Sequence, residues 1–380
     1  MSRLNSKKNK YDSDKEISLN MENVGNYNPD DAFKEYVPAE KPKKKKKKKG
    51  LKVLLVLLLI FFLVIAVAAG AFIALQLKGK QMVSYEDATI QAVENAEIEN
   101  DGKTVYYNGK KYRLNENITS IACLGIDKED LGTRGDIIGT GGQSDTNMVL
   151  AIDTEKGKVS VIAIPRDIMV DIDLYTVDGE YVGSGREQLC LAYAYGDGKH
   201  TSCKNAVASI QRVLFGIPVN SYISLDIAGV GPLNDAVGGV TVVPNETLSG
   251  FVAGQAVTLY GQNAVSFVQE RGFDTNASLR RMERQVTYIK AFASKAIKSA
   301  VKDFSVISRL YKTANRYSCT NVGLDNVTYL ATVLMSKGVS EINTYSVPGE
   351  MKMGDKYAEF YMDTTAAYEM ILEVFYEEVQ

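Results

Sequence analysis

The sequence predicts an α/β protein: a central mixed β-sheet flanked by helices on both faces, an α/β/α sandwich, carried on an N-terminal transmembrane helix. Three observations predict it. Residues 51–77 hold no charge between Lys52 and Lys78, enough to cross a hydrocarbon core, which takes about 20 residues as a helix. Beyond residue 118, runs with period-2 patterning alternate with runs at helical spacing. No linker-like break interrupts that alternation, so one large domain of stacked layers accounts for it.

The elements follow in order. Residues 1–50 are rich in Asn, Ser, Asp and Lys and close with KPKKKKKKKG at 41–50. They read as a disordered cytoplasmic tail, its lysines held inside by the positive-inside rule and lying against anionic headgroups. The tail carries 14 Lys/Arg against 8 Asp/Glu, leaving 30 basic and 38 acidic residues of the chain's 44 and 46. An outer part with that balance is not built to bind nucleic acid. Residues 51–77 are the span; fifty residues before it and no cleavage site after it argue against a signal peptide. The expected topology is single-pass, with the N-terminus cytoplasmic and the C-terminal domain extracellular.

Residues 78–117 read as a stalk with a small β element, because VYYNGKKYRL puts an Asn-Gly turn between two short β-like runs. The outer domain is expected over 118–380. SIACLGID (120–127) reads as a buried strand followed by a Gly-rich loop (128–143). NMVLAID and VSVIAIP, joined by TEKGK, form a hairpin or two adjacent strands. Then come a helix (204–217), a strand (220–227), a short helix ending at glycines (231–239) and a strand (240–244). Helices at 261–271 and 278–302 follow, then NVTYLATVLMSKG as helix, EINTYSVPG as strand and TTAAYEMILEVFYEE as the last helix.

Three places can carry chemistry. LGID and QSDT put Asp127 and Asp145 at the end of one strand and the start of the next. In antiparallel neighbours the two carboxylates meet at one rim, where a hard divalent cation would relieve their repulsion; taken alone, Asp145 reads first as a turn cap. IPRD (164–167) aims Arg166 from a strand end, with Asp167 to hold its guanidinium or merely to pair with it on the surface. QERGFDTNASLRRMERQ (269–285) is the densest: helical spacing puts Arg281, Arg284, Gln285 and Tyr288 on one face. Clustered guanidiniums make fork-shaped receptors for phosphate oxygens, and a solvated charged face is the plain alternative. One histidine, His200 in a polar loop, and no CxxC leave neither a zinc site nor a histidine-based triad. Cys190 and Cys203 flank a Gly-rich loop and are either a disulfide or two buried thiols.

Together these blocks, an anchor, LGID, a Gly-rich loop, SDT, VSVIAIPRD, ISLDIAGVGPLNDAVGGVTV and RGFDTNASLRRMERQ, resemble the LytR–CpsA–Psr family of bacterial cell-wall enzymes over roughly residues 118–300. The resemblance implies a phosphotransferase that takes a glycopolymer from undecaprenyl pyrophosphate and links it to a muramic acid hydroxyl of peptidoglycan. It implies magnesium, or another divalent cation, on Asp127 and Asp145. Arg166, Arg271, Arg281 and Arg284 would grip the pyrophosphate, Gln285 would add a polar contact and Asp167 would orient Arg166. The sequence departs from the family pattern at Gln143, where the family carries Arg, and at Gln269, where the family has the first Arg of an Arg-x-Arg pair. The family's acid between that pair and the final arginines, the candidate base for the incoming hydroxyl, falls on Ser278; Asp274, four residues earlier, matches another acid of the family and would replace it. Two other readings stay open: a membrane-bound scaffold or regulator that binds polyprenyl phosphates without turnover, and a pyrophosphate hydrolase on the same site.

Overall fold

The computed structural model describes residues 49–80, 90–99, 102–128, 141–272, 274–339 and 341–379. The expectations for residues 1–48 and for the Gly-rich loop from 129 to 140 lie outside them. Two units are formed, 1–61 and 62–380, and the helix α1 (Lys49–Lys80) begins in the first and ends in the second. Among the described residues it is the one helix long and apolar enough to cross a membrane, which supports a single-pass anchor.

Next in the chain are β1 (Ala96–Ile98), β2 (Thr104–Tyr107), β3 (Lys110–Leu114), β4 (Ile118–Ile126), β5 (Ser144–Asp153) and β6 (Lys158–Ile164). A hairpin of β7 (Met169–Tyr175) and β8 (Tyr181–Gln188) leads into α2 (Leu189–Ala194) and α3 (His200–Val213). After β9 (Ser221–Asp226) come α4 (Val230–Ala236), β10 (Val240–Val242), β11 (Val257–Leu259), α5 (Gln262–Gln269), α6 (Ala277–Lys302) and α7 (Ser305–Tyr317). The rest is β12 (Ser318–Thr320), α8 (Leu324–Lys337), β13 (Glu341–Ser346), the hairpin β14 (Gly349–Met353) and β15 (Ala358–Met362), α9 (Thr364–Phe375) and β16 (Tyr376–Val379).

The central sheet runs β12-β9-β4-β5-β6-β13. It is mixed: β4 pairs antiparallel with β5 and parallel with β9, while β6 pairs antiparallel with β5 and parallel with β13. Side chains alternate between its faces because the strand period is 2. Ala122, Leu124, Val149, Ile162 and Ile164 enter the core shared with α2, α3 and α9. Their neighbours Ile121, Met148, Ile152, Val159, Val161 and Ala163 point the other way, towards α6 and α8. The fold is therefore the expected sheet between helical layers. A third cluster packs α5 and the middle of α6 over β10 and β11.

The β7–β8 and β14–β15 hairpins, α2 and α7 were not among the expected elements. β8 leaves most of its residues exposed, so it lacks the apolar alternation that marks a half-buried strand. The β2–β3 hairpin pairs with β16, giving the four-stranded sheet β1-β2-β3-β16.

Candidate functional site

The rim of the central sheet beyond Ile126 gathers most of the residues singled out in the sequence. Gly125 opens this corner: a Cβ there would stand 2.9 Å from Thr146 Cβ, and the β4–β5 register shifts between Gly125 and Ile126. Such a bulge re-aims the residues after it. Asp127 follows at once, its Oδ1 accepting from the Gln143 amide at 3.0 Å.

Asp145, near the start of β5, holds two arginines. Arg166 Nη1 donates to its Oδ1, and Arg281 Nη1 donates to its Oδ2 at 3.1 Å. Every arm of Arg166 is occupied: Nε by Asp167 Oδ1 at 3.2 Å, Nη2 by Gln143 Oε1 at 2.7 Å and by Cys190 Sγ at 3.2 Å. Asp167 is braced in turn, since its backbone carbonyl accepts from the Phe360 amide at 2.8 Å. Arg281 is 5 % exposed. Burial, with Arg166 and Arg271 nearby, lowers its pKa against the pull of Asp145. A guanidinium titrates so far above neutrality that it keeps its charge.

Below this cluster, between the sheet and α6, lies a cavity of about 220 Å³. Its walls are apolar, with Leu225, Ile227, Leu233, Ile289 and Phe292 among them, while Asp127, Asp145, Gln269, Arg281 and Gln285 line it as well. A pocket that is largely apolar with a few convergent polar groups suits a ligand with a greasy tail and a charged head. Two carboxylates facing one cavity also fit magnesium, which takes one or two carboxylates and draws its other ligands from water and phosphate. Asp145 already has both oxygens on arginine, so Asp127 is the freer donor. Among the described residues no group of three or more His, Cys, Asp or Glu gathers as a protein-only metal cage.

Other candidates go elsewhere. Arg284, 2 % exposed, donates from Nε to the Phe267 carbonyl at 3.2 Å and also binds the Glu270 carbonyl and Glu246. Gln285 Nε2 donates to the Val268 carbonyl at 3.0 Å, and Tyr288 OH bonds Asn234 at 3.2 Å. The face predicted from helical spacing is thus buried as a unit, with Arg281 alone of its arginines on Asp145. Asp274 sits on the surface, bound to Arg280 and to the Asn276 amide. The structure does not bring it to the cluster. Arg271 and Gln269 are both exposed.

The cysteines depart from the disulfide alternative: all four are free thiols. Cys190 lies on Arg166 rather than on Cys203, and burial pushes its thiol up to about 11, against the pull of Arg166. Cys203 lies beside Cys319. His200, expected in a solvated loop, opens α3 and bonds Tyr222 OH at 2.7 Å. Two participants escaped the sequence reading. Glu246 gave no signal, since a lone acid in a loop has none. Cys190 was noted only for its spacing from Cys203.

The family model described as the LytR_cpsA_psr family matches residues 78–374. A polyisoprenyl-teichoic acid–peptidoglycan teichoic acid transferase TagU from Enterococcus faecalis is 31% identical over 183 residues, 47% of this chain and 54% of that protein. Its counterpart from Oceanobacillus iheyensis is 31% identical over 181 residues, 47% and 51% of the two chains. The chain thus spans about half the length of these curated relatives. Among solved structures, protein gbs0355 from Streptococcus agalactiae aligns with a TM-score of 0.56 at 19% identity, covering 70% of this chain and 90% of that one. TagV from B. subtilis gives 0.51 at 21% identity, covering 68% and 96%; at such identities the likeness is one of fold. With a sheet, a rim and an anchor of the expected kind, and a family match that covers most of its length, the chain belongs to the LytR_cpsA_psr family.

Proposed function

We propose that this protein is a membrane-anchored phosphotransferase that moves a glycopolymer from undecaprenyl pyrophosphate onto peptidoglycan. The observation that carries the reading is Asp145 holding Arg166 and Arg281 together at an apolar cavity. The polyprenyl chain occupies the cavity and the pyrophosphate meets the two guanidiniums. A muramic acid hydroxyl attacks the sugar-linked phosphorus. The new P–O bond forms as the bond to the bridging oxygen breaks, undecaprenyl phosphate departs, and the hydroxyl proton is released at the cavity mouth. Arg166 and Arg281 are fixed before the reaction and stabilise the charge that grows on the phosphoryl and leaving oxygens. Asp145 and Asp167 position them, and Arg271 and Gln269 contact the head group from the exposed side. Magnesium on Asp127, with Asp145, would supply further charge neutralisation. The tail is cytoplasmic and residues 118–380 act outside, with 78–117 as a stalk. The resemblance to teichoic acid transferases supports teichoic acid as the polymer class.

A binding-only role as scaffold or regulator draws on Gln143. Its amide oxygen satisfies Arg166 where the family places a cation, so the head group meets less positive charge. One experiment separates these readings. The full chain in detergent is given a polyprenyl-pyrophosphate glycan, magnesium and uncrosslinked peptidoglycan. Glycan bound covalently to the peptidoglycan is the expected product. Retained lipid with no transfer sinks the transferase, and free glycan phosphate in its place indicates hydrolysis.

A further inference from the structure

The rim has a neighbour that the proposed chemistry leaves unused. β13 runs parallel to β6 and leaves the sheet at Ser346, opposite Ala163, with the Val347 amide on the Ala163 carbonyl at 3.0 Å. Ala163 stands next to the end of β6, and Pro165, Arg166 and Asp167 follow it. The chain therefore crosses the rim as β14, turns at Gly354, whose amide donates to the Tyr357 carbonyl at 2.9 Å, and returns as β15. The returning strand is tied to the site. The Phe360 amide donates to the Asp167 carbonyl at 2.8 Å, and Gln188 Nε2 reaches both the Ala358 carbonyl at 2.7 Å and Asp167 Oδ1 at 3.4 Å. That same Oδ1 holds Arg166 Nε. Tyr357 is thus joined to the arginine through Ala358, Gln188 and Asp167.

Strand alternation sorts the hairpin into two faces. Phe360, with Met351 and Met362, packs on the core. Tyr357, Glu359 and Tyr361 point the other way, where Lys352 stands opposite Glu359 and Glu350 opposite Tyr361. On this outward face Tyr357 is 69% and Tyr361 41% exposed. Tyr361 is held ready: its hydroxyl donates to Glu359, and Lys352 Nζ stands 5.4 Å from its ring centroid while pairing with Glu350. Single exposed apolar side chains are ordinary on a protein surface. Two tyrosines on one strand face, about 13 Å apart and set among charged groups beside the arginine rim, form a platform.

We propose that the outward face of the β14–β15 hairpin, Tyr357 and Tyr361 with Glu350, Lys352 and Glu359, holds the acceptor glycan strand of peptidoglycan and presents its hydroxyl to the rim. An amino-sugar strand offers C–H faces that lie on tyrosine rings, and hydroxyl and amide groups that bond carboxylates and ammonium groups. Tyrosine supplies such contact area at little conformational cost. The tyrosines and paired charges of the hairpin suit a polymer of sugars, whereas the apolar cavity and its guanidiniums suit the lipid-linked donor. The inference rests on the proposed function for the identity of the acceptor.

Tyr357→Ala, Tyr361→Ala and the double variant, each in the full chain in detergent, supply the test, with Tyr181→Ala as control. Tyr181 is 59% exposed but stands opposite Tyr175, about 20 Å along β7 from Met169 and the Asp167 end. Two quantities are measured: retention on insoluble peptidoglycan without donor, and the KM for uncrosslinked peptidoglycan in the transfer reaction. The double variant should lose retention and raise that KM about tenfold, with kcat, the KM for the polyprenyl-pyrophosphate glycan and the melting temperature near those of wild type. Tyr357→Phe and Tyr361→Phe, which keep the rings, should recover most of the loss, and Tyr181→Ala should change nothing. Unchanged retention and acceptor KM in the double variant, an equal loss in Tyr181→Ala, or a raised KM for the donor in place of the acceptor overturns the hairpin's role. Transfer whose acceptor KM ignores both tyrosines overturns this inference alone. Retention that depends on the tyrosines, with no transfer by the wild type, upholds the hairpin and overturns the transferase alone.

Discussion

Two arginine clusters grow from successive turns at the start of α6, and they do different work. Arg281 reaches the cavity and shares Asp145 with Arg166. Arg284, one turn later on the same face, is spent on Glu246 and two backbone carbonyls, and Arg280 pairs with Glu246 and Asp274 at the surface. The first cluster reaches the cavity through Arg281 and Asp145, which line it; the second ties the loop around 246 and the end of α5 to the helix. Charge density along a helix therefore says where guanidiniums are, and only their partners say which are available to a ligand.

The comparison can be broken at four points. The largest expected effect is on Arg166→Ala and Arg281→Ala: each should cut transfer by about 10²–10³-fold, the usual cost of one donor to a developing oxyanion, with a melting temperature near that of wild type. A wild-type rate in either variant would mean the rim arginines are structural. Arg284→Ala should instead unfold first, losing about 3 kcal/mol in a denaturant titration because the Phe267 and Glu270 carbonyls lose their buried donor; its activity falls with folded fraction. If Arg284→Ala keeps full stability while transfer disappears, the two clusters are one site.

A smaller effect is expected from Cys190→Ala, which removes one of four contacts on Arg166. The rate should fall about tenfold, a loss of about 1.4 kcal/mol, and Cys190→Ser should recover part of it. Magnesium titration should give the same midpoint in wild type and Cys190→Ala, since the thiol acts on Arg166 alone. The smallest effect belongs to Asp274→Asn. An exposed ion pair contributes little, so rate and melting temperature should both stay at wild-type values. A large loss of rate there would restore Asp274 as the group that receives the hydroxyl proton.

How much of this was legible in the sequence differs between backbone and side chains. SIACLGID and NMVLAID announce buried strands because both faces of the central sheet are covered, and the 3.6-residue spacing of Arg281, Gln285 and Tyr288 announces a buried helix face. The β7–β8 hairpin is silent because most of β8 faces water and needs no apolar pattern. At the site, Asp145 with Arg166 follows from two strand ends meeting at one rim. Arg284 could not be assigned, since its partner Glu246 lies 38 residues away in a loop. Asp274 was a candidate because it matches an acid of the family the sequence resembles; in the structure its carboxylate binds Arg280.

The pairing of β16 with β3 has a consequence in time. Asn115, just past β3, bonds Glu377 across a separation of 262 residues. Loops of that size close late, since the entropy of bringing their ends together is lost before the contacts repay it. In a chain synthesised from its N-terminus, β3 emerges early and waits, its edge open, until residues 376–379 arrive. The four-stranded sheet can therefore be completed only after the chain has been made as far as residue 379.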